Sequence, residues 1–253
     1  MPLRVTILGS GTIIPSLERR ATALLVETGE QRFLFDCGPC VLEALEEAGT
    51  SFHSLERIFI THYHPDHTLG IGHLLSAINN DRDRFESAQL VLYGPRGLEE
   101  FMERLDMLYR SLVMKSDYLR LVEIDEGALT IEGESRIGAV RADHGERTAL
   151  SYRMDHGGVS FVYTGDTAYT ERLVEFAREA DLLVTECSFP DDQAVPGHLT
   201  PGGVGSLASK AGVGGVVLVH MYPRFGDSDP AASVRKHYNG PVVVASDGMT
   251  IDL

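Results

Sequence analysis

The stretch Thr61–His67, THYHPDH, places four possible metal ligands, His62, His64, Asp66 and His67, within six positions. Imidazole nitrogen and carboxylate oxygen are the donors that divalent transition metals take. The chain holds 10 histidines in 253 residues, so three of them here exceed what composition alone would supply. If His62 and His64 continue the strand-like run RIFIT, side chains two apart leave on the same face, and two imidazoles can reach one ion at ~2.0–2.1 Å. Pro65 suits the first position of a helix, which would put Asp66 and His67 on a first turn pointing elsewhere. One segment could thereby serve two ions about 3.5–4 Å apart. A helix N-terminus repels cations, and the carboxylate of Asp66 would offset that field.

Four residues cannot fill two coordination shells. The remaining candidates are His144 in VRADHGE, Asp166 in VYTGDT and His220 in GVVLVH, each read as the end of a strand. Side chains at such ends project from a rigid sheet into loops, where function concentrates. His198, in PGHLTP, lies on a Gly/Pro loop before a helix that Thr200 would cap and Pro201 would open. Read singly, a buried histidine is by default a hydrogen-bonded core residue. His53, His73, His156 and His237 lie outside every motif and are expected to be structural or exposed. Glu186, in VTECSF, is expected as a surface acid, with orientation of His198 as the alternative.

The elements that must position these residues are legible as ten short apolar runs: LRVTIL, TALLVE, RFLFD, RIFIT, QLVLYG, LRLVEI, SFVYT, DLLVTE, GVVLVH and PVVVAS. Each is bounded by Gly, Pro, Asp or a charge cluster and reads as a strand. Helical periodicity joins Ile71, Leu74, Leu75 and Ile78. It also joins Leu98, Phe101, Met102, Leu105, Leu108, Tyr109 and Leu112, and Leu173, Phe176, Ala177 and Ala180. These stripes are expected to be core faces. The N-terminal strands follow one another with no helix until about residue 39, which argues against a doubly wound parallel sheet. The expectation is an α/β fold, an αββα sandwich of two mixed β-sheets with helices on the outer faces, in a single domain 1–253. A faint internal echo supports two halves: GEQRFLFDCG resembles GGVSFVYTGD, and IFITHYHPDH resembles LLVTECSFPDD.

Taken in order, LGSGTIIPSLERRATALLVE, FDCG, THYHPDH, ADHG, TGDT, GHLTP and VHMYPR make the chain similar, nearly end to end, to the metallo-β-lactamase superfamily. The similarity is to the branch that contains ribonuclease Z and its phosphodiesterase relatives. The resemblance implies that His62, His64 and His144 bind one metal, that Asp66, His67 and His220 bind the other, and that Asp166 bridges them. It implies His198 as proton donor and Asp36 as the residue that orients a ligand histidine. Two divalent ions are implied, with all-nitrogen and oxygen ligation fitting zinc and tolerating manganese or iron. A metal-bridging hydroxide would be the nucleophile, aligned by Asp66. Ribonuclease Z carries a long tRNA-gripping arm between the equivalents of His144 and Asp166; here these residues are 22 apart and the interval reads as a strand pair, LSYRMDHGGVSFVY. The expected substrate is therefore a small anionic phosphodiester or short nucleic acid. The same metals could act instead on a lactone, thioester or sulfate. Relatives are often dimers, so a homodimer is a weak expectation.

Composition narrows the classes further. The net charge of −15, from 22 Lys and Arg against 37 Asp and Glu, opposes a large nucleic-acid footprint. No apolar run approaches the roughly 20 residues of a membrane helix, and MPLRVTILGSG reads as a strand rather than a leader, so a cytoplasmic protein is expected. Cys37, Cys40 and Cys187 make an odd count, which suggests a reducing compartment. The motif DCGPC between strand-like and helix-like runs raises a thiol–disulfide oxidoreductase as a rival from another class. It is disfavoured because successive strands precede it and the metal set follows it. Cys37 is then expected to be buried and inert beside Asp36.

Overall fold

The structure, a computed structural model, describes residues 3–29, 31–87, 89–110, 113, 117–130, 134–145, 148–226 and 228–253. The chain forms two compact units. The first comprises Met1–Gly9, Pro15–Ile124 and Ser246–Asp252; the second comprises Ser10–Ile14, Asp125–Ala245 and Leu253.

The first unit is a seven-stranded mixed sheet of β1 (Arg4–Gly9), β2 (Ala23–Glu27), β3 (Arg32–Phe35), β4 (Arg57–Phe59), β5 (Leu90–Pro95), β6 (Leu119–Ile124) and the chain's last strand, β14 (Thr250–Asp252). The order is β14-β1-β2-β3-β4-β5-β6. The pairs β14–β1, β1–β2 and β2–β3 are antiparallel, and β3 to β6 run parallel. β1, β2 and β3 are buried almost without interruption, which is why they read as continuous apolar runs rather than as alternating ones.

Three helices accompany this sheet: α1 (Val41–Glu47), α2 (Pro65–Asn80) and α3 (Leu98–Leu108). On α2 the stripe Ile71, Leu74, Leu75 and Ile78 is buried and packs with Leu34, Ile58 and Leu92 of the sheet. Each such side chain contributes about 1.5–3 kcal/mol on burial. On α3 the stripe is only partly a core face. Leu98 and Met102 are buried and Phe101 and Leu105 pack against the core, but Leu108 is 71% and Tyr109 41% exposed. α3 lies on β5 and the edge strand β6, and just past its end the Tyr109 ring lies over Gly72 of α2, where a Cβ would meet it at 2.8 Å. Leu112 lies outside the described residues.

The start of α2 is locked to the segment after β3. Cys37 N donates to His67 O at 2.8 Å and Gly70 N to Cys37 O at 2.9 Å. The backbones approach so closely that a Cβ on Gly70 would stand 2.4 Å from Gly38 O, and one on Gly38 2.6 Å from Asp66 O. Glycine at both places lets the first turn of α2 sit against the end of β3, which sets where Asp66 and His67 point.

The second unit contains β7 (Gly127–Thr130), β8 (Arg136–Arg141), β9 (Leu150–His156), β10 (Val159–Tyr163), β11 (Leu182–Glu186), β12 (Val216–Val219) and β13 (Val242–Val244), in the order β13-β12-β11-β10-β9-β8-β7. β7 to β10 are successively antiparallel and β10 to β13 parallel. The strand pair expected between His144 and Asp166 is β9–β10, joined by Gly157 and Gly158, both at positive φ (58° and 89°), the backbone that a two-residue hairpin turn requires. The helices here are α4 (Glu171–Phe176), α5 (Pro201–Ala211) and α6 (Pro230–Val234). Leu173, Val204, Leu207 and Val234 pack with Val162, Leu183 and Leu218. Glycine is a poor helix former, but the three early glycines of α5 sit at close contacts. Gly202 N donates to Asp191 Oδ1 and Gly203 N to the capping Thr200 Oγ1. A Cβ on Gly205 would come within 2.7 Å of His237 Cβ.

The two sheets repeat one pairing scheme. β1 to β6 and β8 to β13 both run antiparallel, antiparallel, then parallel three times, and β14 and β7 each add an antiparallel strand at the front. The faint sequence echo falls on equivalent places, β3 with β10 and β4 with β11.

Candidate metal centre

In the first unit the chain leaves β4 and reaches the candidate ligands through Thr61. Asp36, directly after β3, has φ 59°, a left-handed backbone that Asp tolerates better than most residues. Its carboxylate is fully buried. It accepts from Thr61 N at 2.8 Å, from Thr61 Oγ1 at 2.9–3.0 Å and from His67 Nδ1 at 2.6 Å. The last bond holds the proton of His67 on Nδ1 and leaves the Nε2 lone pair as donor. Thr61 spends its one hydroxyl proton on Asp36, so its oxygen accepts from His62 Nδ1 at 3.0 Å, and His62 likewise presents Nε2. That atom lies 2.8 Å from His64 Nδ1. Two imidazole nitrogens so close can share a single cation at ~2.0–2.1 Å from each.

His64 is extended (φ −67°, ψ 150°) and its ring does not cap α2; the following Pro65 disfavours a helical backbone at this position. Asp66 and His67 occupy the first turn of α2, as expected, and both are buried, with Asp66 Oδ2 3.9 Å from His67 Nε2.

In the second unit His144, Asp166 and His220 stand one to three residues beyond the ends of β8, β10 and β12 rather than on them. His144 Nδ1 donates to Gly197 O at 2.8 Å, and its Nε2 is 3.9 Å from Asp166 Oδ2. Asp166 is 2% exposed, and His220 Nε2 lies 3.5 Å from its Oδ1. Asp166, His198 and His220 each offer a ligand atom, all within 4.8 Å of one another. His220 has φ 52°, a conformation costing of order 1–3 kcal/mol that persists only where its surroundings hold it. Its N donates to Ser10 O at 2.9 Å and its Nδ1 pairs with Ser188 Oγ at 3.0 Å.

Glu186 departs from expectation. It is a buried acid, 1% exposed, not a surface one. It accepts from Thr167 N at 2.6 Å and from the Ser188 hydroxyl, and both its oxygens lie 3.1 Å from His198 Nδ1. The network explains its burial, because each oxygen has donors to replace water. Ser188 gives its proton to Glu186 and accepts from His220 Nδ1, just as Thr61 gives its proton to Asp36 and accepts from His62. Each unit thus carries the same relay of carboxylate, hydroxyl and imidazole. The contact with His198 is the alternative that the sequence offers for Glu186, whereas the hydroxyl relays have no sequence signal beyond the echo of IFIT in LLVTE.

The donors fit divalent metal. In His67, His144 and His220 an acceptor fixes Nδ1, so each presents an Nε2 lone pair, and carboxylates stand beside them. Nitrogen and oxygen donors of this kind suit zinc and its neighbours.

The other histidines behave as structure. His53 and His156 are buried and bonded to Ser51, Asp81 and Ser135, and His73 and His237 are exposed. Cys37, Cys40 and Cys187 are free; Cys37 and Cys187 are buried and Cys40 is exposed. Burial, with the Asp36 charge adding to it, pushes the Cys37 thiol far up, and burial beside Glu186 does the same for Cys187. The nucleophile is the thiolate. Titration of the native protein with a disulfide reagent is therefore expected to show one fast thiol, Cys40, with the other two reacting only on denaturation. A fast pair, Cys37 with Cys40, would revive the redox reading. Among the described residues no helix is long and apolar enough to cross a membrane.

A mixed-sheet α/β fold that gathers histidine and aspartate donors beyond its strand ends defines a metal-dependent hydrolase. A family model described as "Beta-lactamase superfamily domain" matches residues 31–221, and the chain belongs to that superfamily. The crystal structure of the metallo-β-lactamase fold protein YhfI from Bacillus subtilis superimposes with a TM-score of 0.90 at 25% identity, covering all of both chains. Human tRNase Z, short form, does so with a TM-score of 0.79 at 25% identity over 98% of each chain. Ribonuclease Z of Archaeoglobus fulgidus is 29% identical over 306 aligned positions, 100% of this chain and 98% of the relative. The fold is the metallo-β-lactamase fold, and it implies divalent metal binding.

Proposed function

We propose that the protein is a dinuclear phosphodiesterase acting on small anionic diesters. His62, His64 and His144 would hold one ion and Asp66, His67 and His220 the other, with Asp166 a ligand shared by the two. The observation that carries this reading is the fixing of ring tautomers. In the first unit His62 and His67 and in the second His144 and His220 have Nδ1 held by a hydroxyl, a carboxylate or a carbonyl, which leaves Nε2 as their ligand atom, and His62 Nε2 lies 2.8 Å from His64 Nδ1. A bound ion pair would supply an activated water and neutralise charge on the phosphoryl oxygens.

The protein's own residues do the rest. Asp66 accepts a hydrogen bond from the attacking water and holds it in line. Asp36 and Ser188 hold His67 and His220 against rotation. Glu186 stabilises a protonated His198, which gives its proton to the leaving oxygen. Resemblance supports phosphorus as the centre attacked, since the ribonuclease Z relatives act on RNA by name.

Length supports a small substrate. The alignment to the Archaeoglobus relative has 306 positions for 253 residues, so at least 306 − 253 = 53 of them have no counterpart in this chain. The "Probable metallo-hydrolase YhfI" of Bacillus subtilis aligns over 252 positions, covering 97% of this chain and 98% of that one, at 29% identity. The 22-residue interval from His144 to Asp166 is filled by the β9–β10 hairpin.

The test is a substrate panel of bis-p-nitrophenyl phosphate, cyclic nucleotides, pre-tRNA, lactones and aryl sulfates. Hydrolysis of the small phosphodiesters is expected, abolished by chelation and restored by zinc. Turnover confined to pre-tRNA, or confined to lactones or sulfates, would overturn the proposal.

A further inference from the structure

The loop that carries His198 borders a second feature. Phe189 lies edge-on to the His198 ring, with centroids 5.4 Å apart, and stacks on Tyr222 at 4.7 Å. The guanidinium of Arg224 stands over the Phe189 ring, 5.3 Å from its centroid. Arg224 Cζ is therefore no more than 5.4 + 5.3 = 10.7 Å from the centre of the His198 ring. Arg224 is exposed and forms no ion pair among the described residues. It lines a cavity of about 400 Å³ with Pro190, Asp191, Asp192 and Phe225, a volume within the roughly 300–1,000 Å³ range of small-ligand pockets.

We infer that this cavity is a substrate subsite in which Arg224 binds a second anionic group, a phosphate or carboxylate, carried by the diester beyond its scissile bond. The inference rests on the proposed function for the neighbouring site. Three features make Arg224 suited to the task. Its guanidinium is always charged and presents a planar fork of donors that matches phosphate and carboxylate. The ring of Phe189 beneath it limits its freedom, so less is lost on binding. In a chain of net charge −15, an arginine left unpaired this near the proton donor confers local attraction for an anion.

The acids in the same cavity set the opposing term. Asp191 is engaged by Gly202 N at 2.9 Å. Asp192 is exposed and repels the same ligand, weakly because solvent screens it. Removing Arg224 and neutralising Asp192 should thus have opposite signs, which a purely structural role for either residue would not produce.

The test compares equilibrium binding of adenosine 5′-monophosphate and adenosine 3′,5′-bisphosphate to the metal-replete protein. Wild type should prefer the bisphosphate. Arg224→Ala should lose that preference by roughly tenfold or more, the scale of a hydrogen-bonded charge contact, while its affinity for the monophosphate changes little. Arg224→Lys should retain part of it, and Asp192→Asn should enlarge it. Equal preference in wild type and Arg224→Ala, or no preference in wild type, would overturn the subsite. Should the affinities follow the expected order while the protein hydrolyses no phosphodiester, the subsite stands and the proposed reaction falls.

Discussion

His198→Ala is expected to lower kcat on a diester with an alkyl leaving group by roughly 10²–10⁴-fold, the usual worth of general acid help, with bound metal unchanged. The reason is placement. His198 is held by Glu186 through Nδ1 and sits within 4.8 Å of Asp166 and His220 in ligand-atom terms, yet the proposed ion ligands are complete without it. Its loss should scarcely affect bis-p-nitrophenyl phosphate, because p-nitrophenolate leaves without a proton. A variant equally impaired on both substrates, or one that loses metal, would show that His198 is a ligand or a structural residue instead. Glu186→Gln should produce the same leaving-group selectivity in smaller measure.

Asp36→Ala is expected to weaken metal binding by about 10–100-fold, the range for loss of a residue that orients a ligand histidine. It should also destabilise the fold, since Thr61 N and His67 Nδ1 would be left buried without their acceptor, at about 1–3 kcal/mol for each donor. Alanine is further disfavoured at φ 59°. Asp36→Asn separates the two effects. Asparagine tolerates this backbone and still accepts from Thr61, so the protein should fold while metal affinity falls. Chelator competition on the folded Asn variant checks this; wild-type affinity there would remove Asp36 from the account of the centre.

Those residues differ in how far the amino-acid sequence alone reveals them. The proposed ligands His62, His64, Asp66 and His67 are legible because metal binding demands particular residue types at close spacing, and little else in a protein makes the same demand. α2 is legible for two reasons that agree, a proline at its first position and a stripe at 71, 74, 75 and 78. The ten apolar strands are legible from β-branched runs. β8, RIGAVR, and β14, TID, are not; the first carries Gly and Ala where a strand usually carries bulk, and the second is three residues long. The exposed end of α3 shows a limit of periodicity, which reports a possible face but not how much of that face the fold covers. Glu186 misleads because an isolated acid at a strand end looks solvated. Its burial depends on Thr167, Ser188 and His198, residues that the fold rather than a local motif brings to it. The hydroxyl relays through Thr61 and Ser188 are invisible for the same reason. Metal-ligand types can be read locally, whereas the bonds that orient them are made by tertiary structure.

Anomalous diffraction at the zinc edge from crystals of the zinc-loaded protein tests the proposed dinuclear centre most directly. Two peaks about 3.5–4 Å apart are expected, the first ringed by His62, His64 and His144, the second by Asp66, His67 and His220, with Asp166 touching both. A single peak, or two peaks with Asp166 or His220 outside the ligand shells, would contradict it.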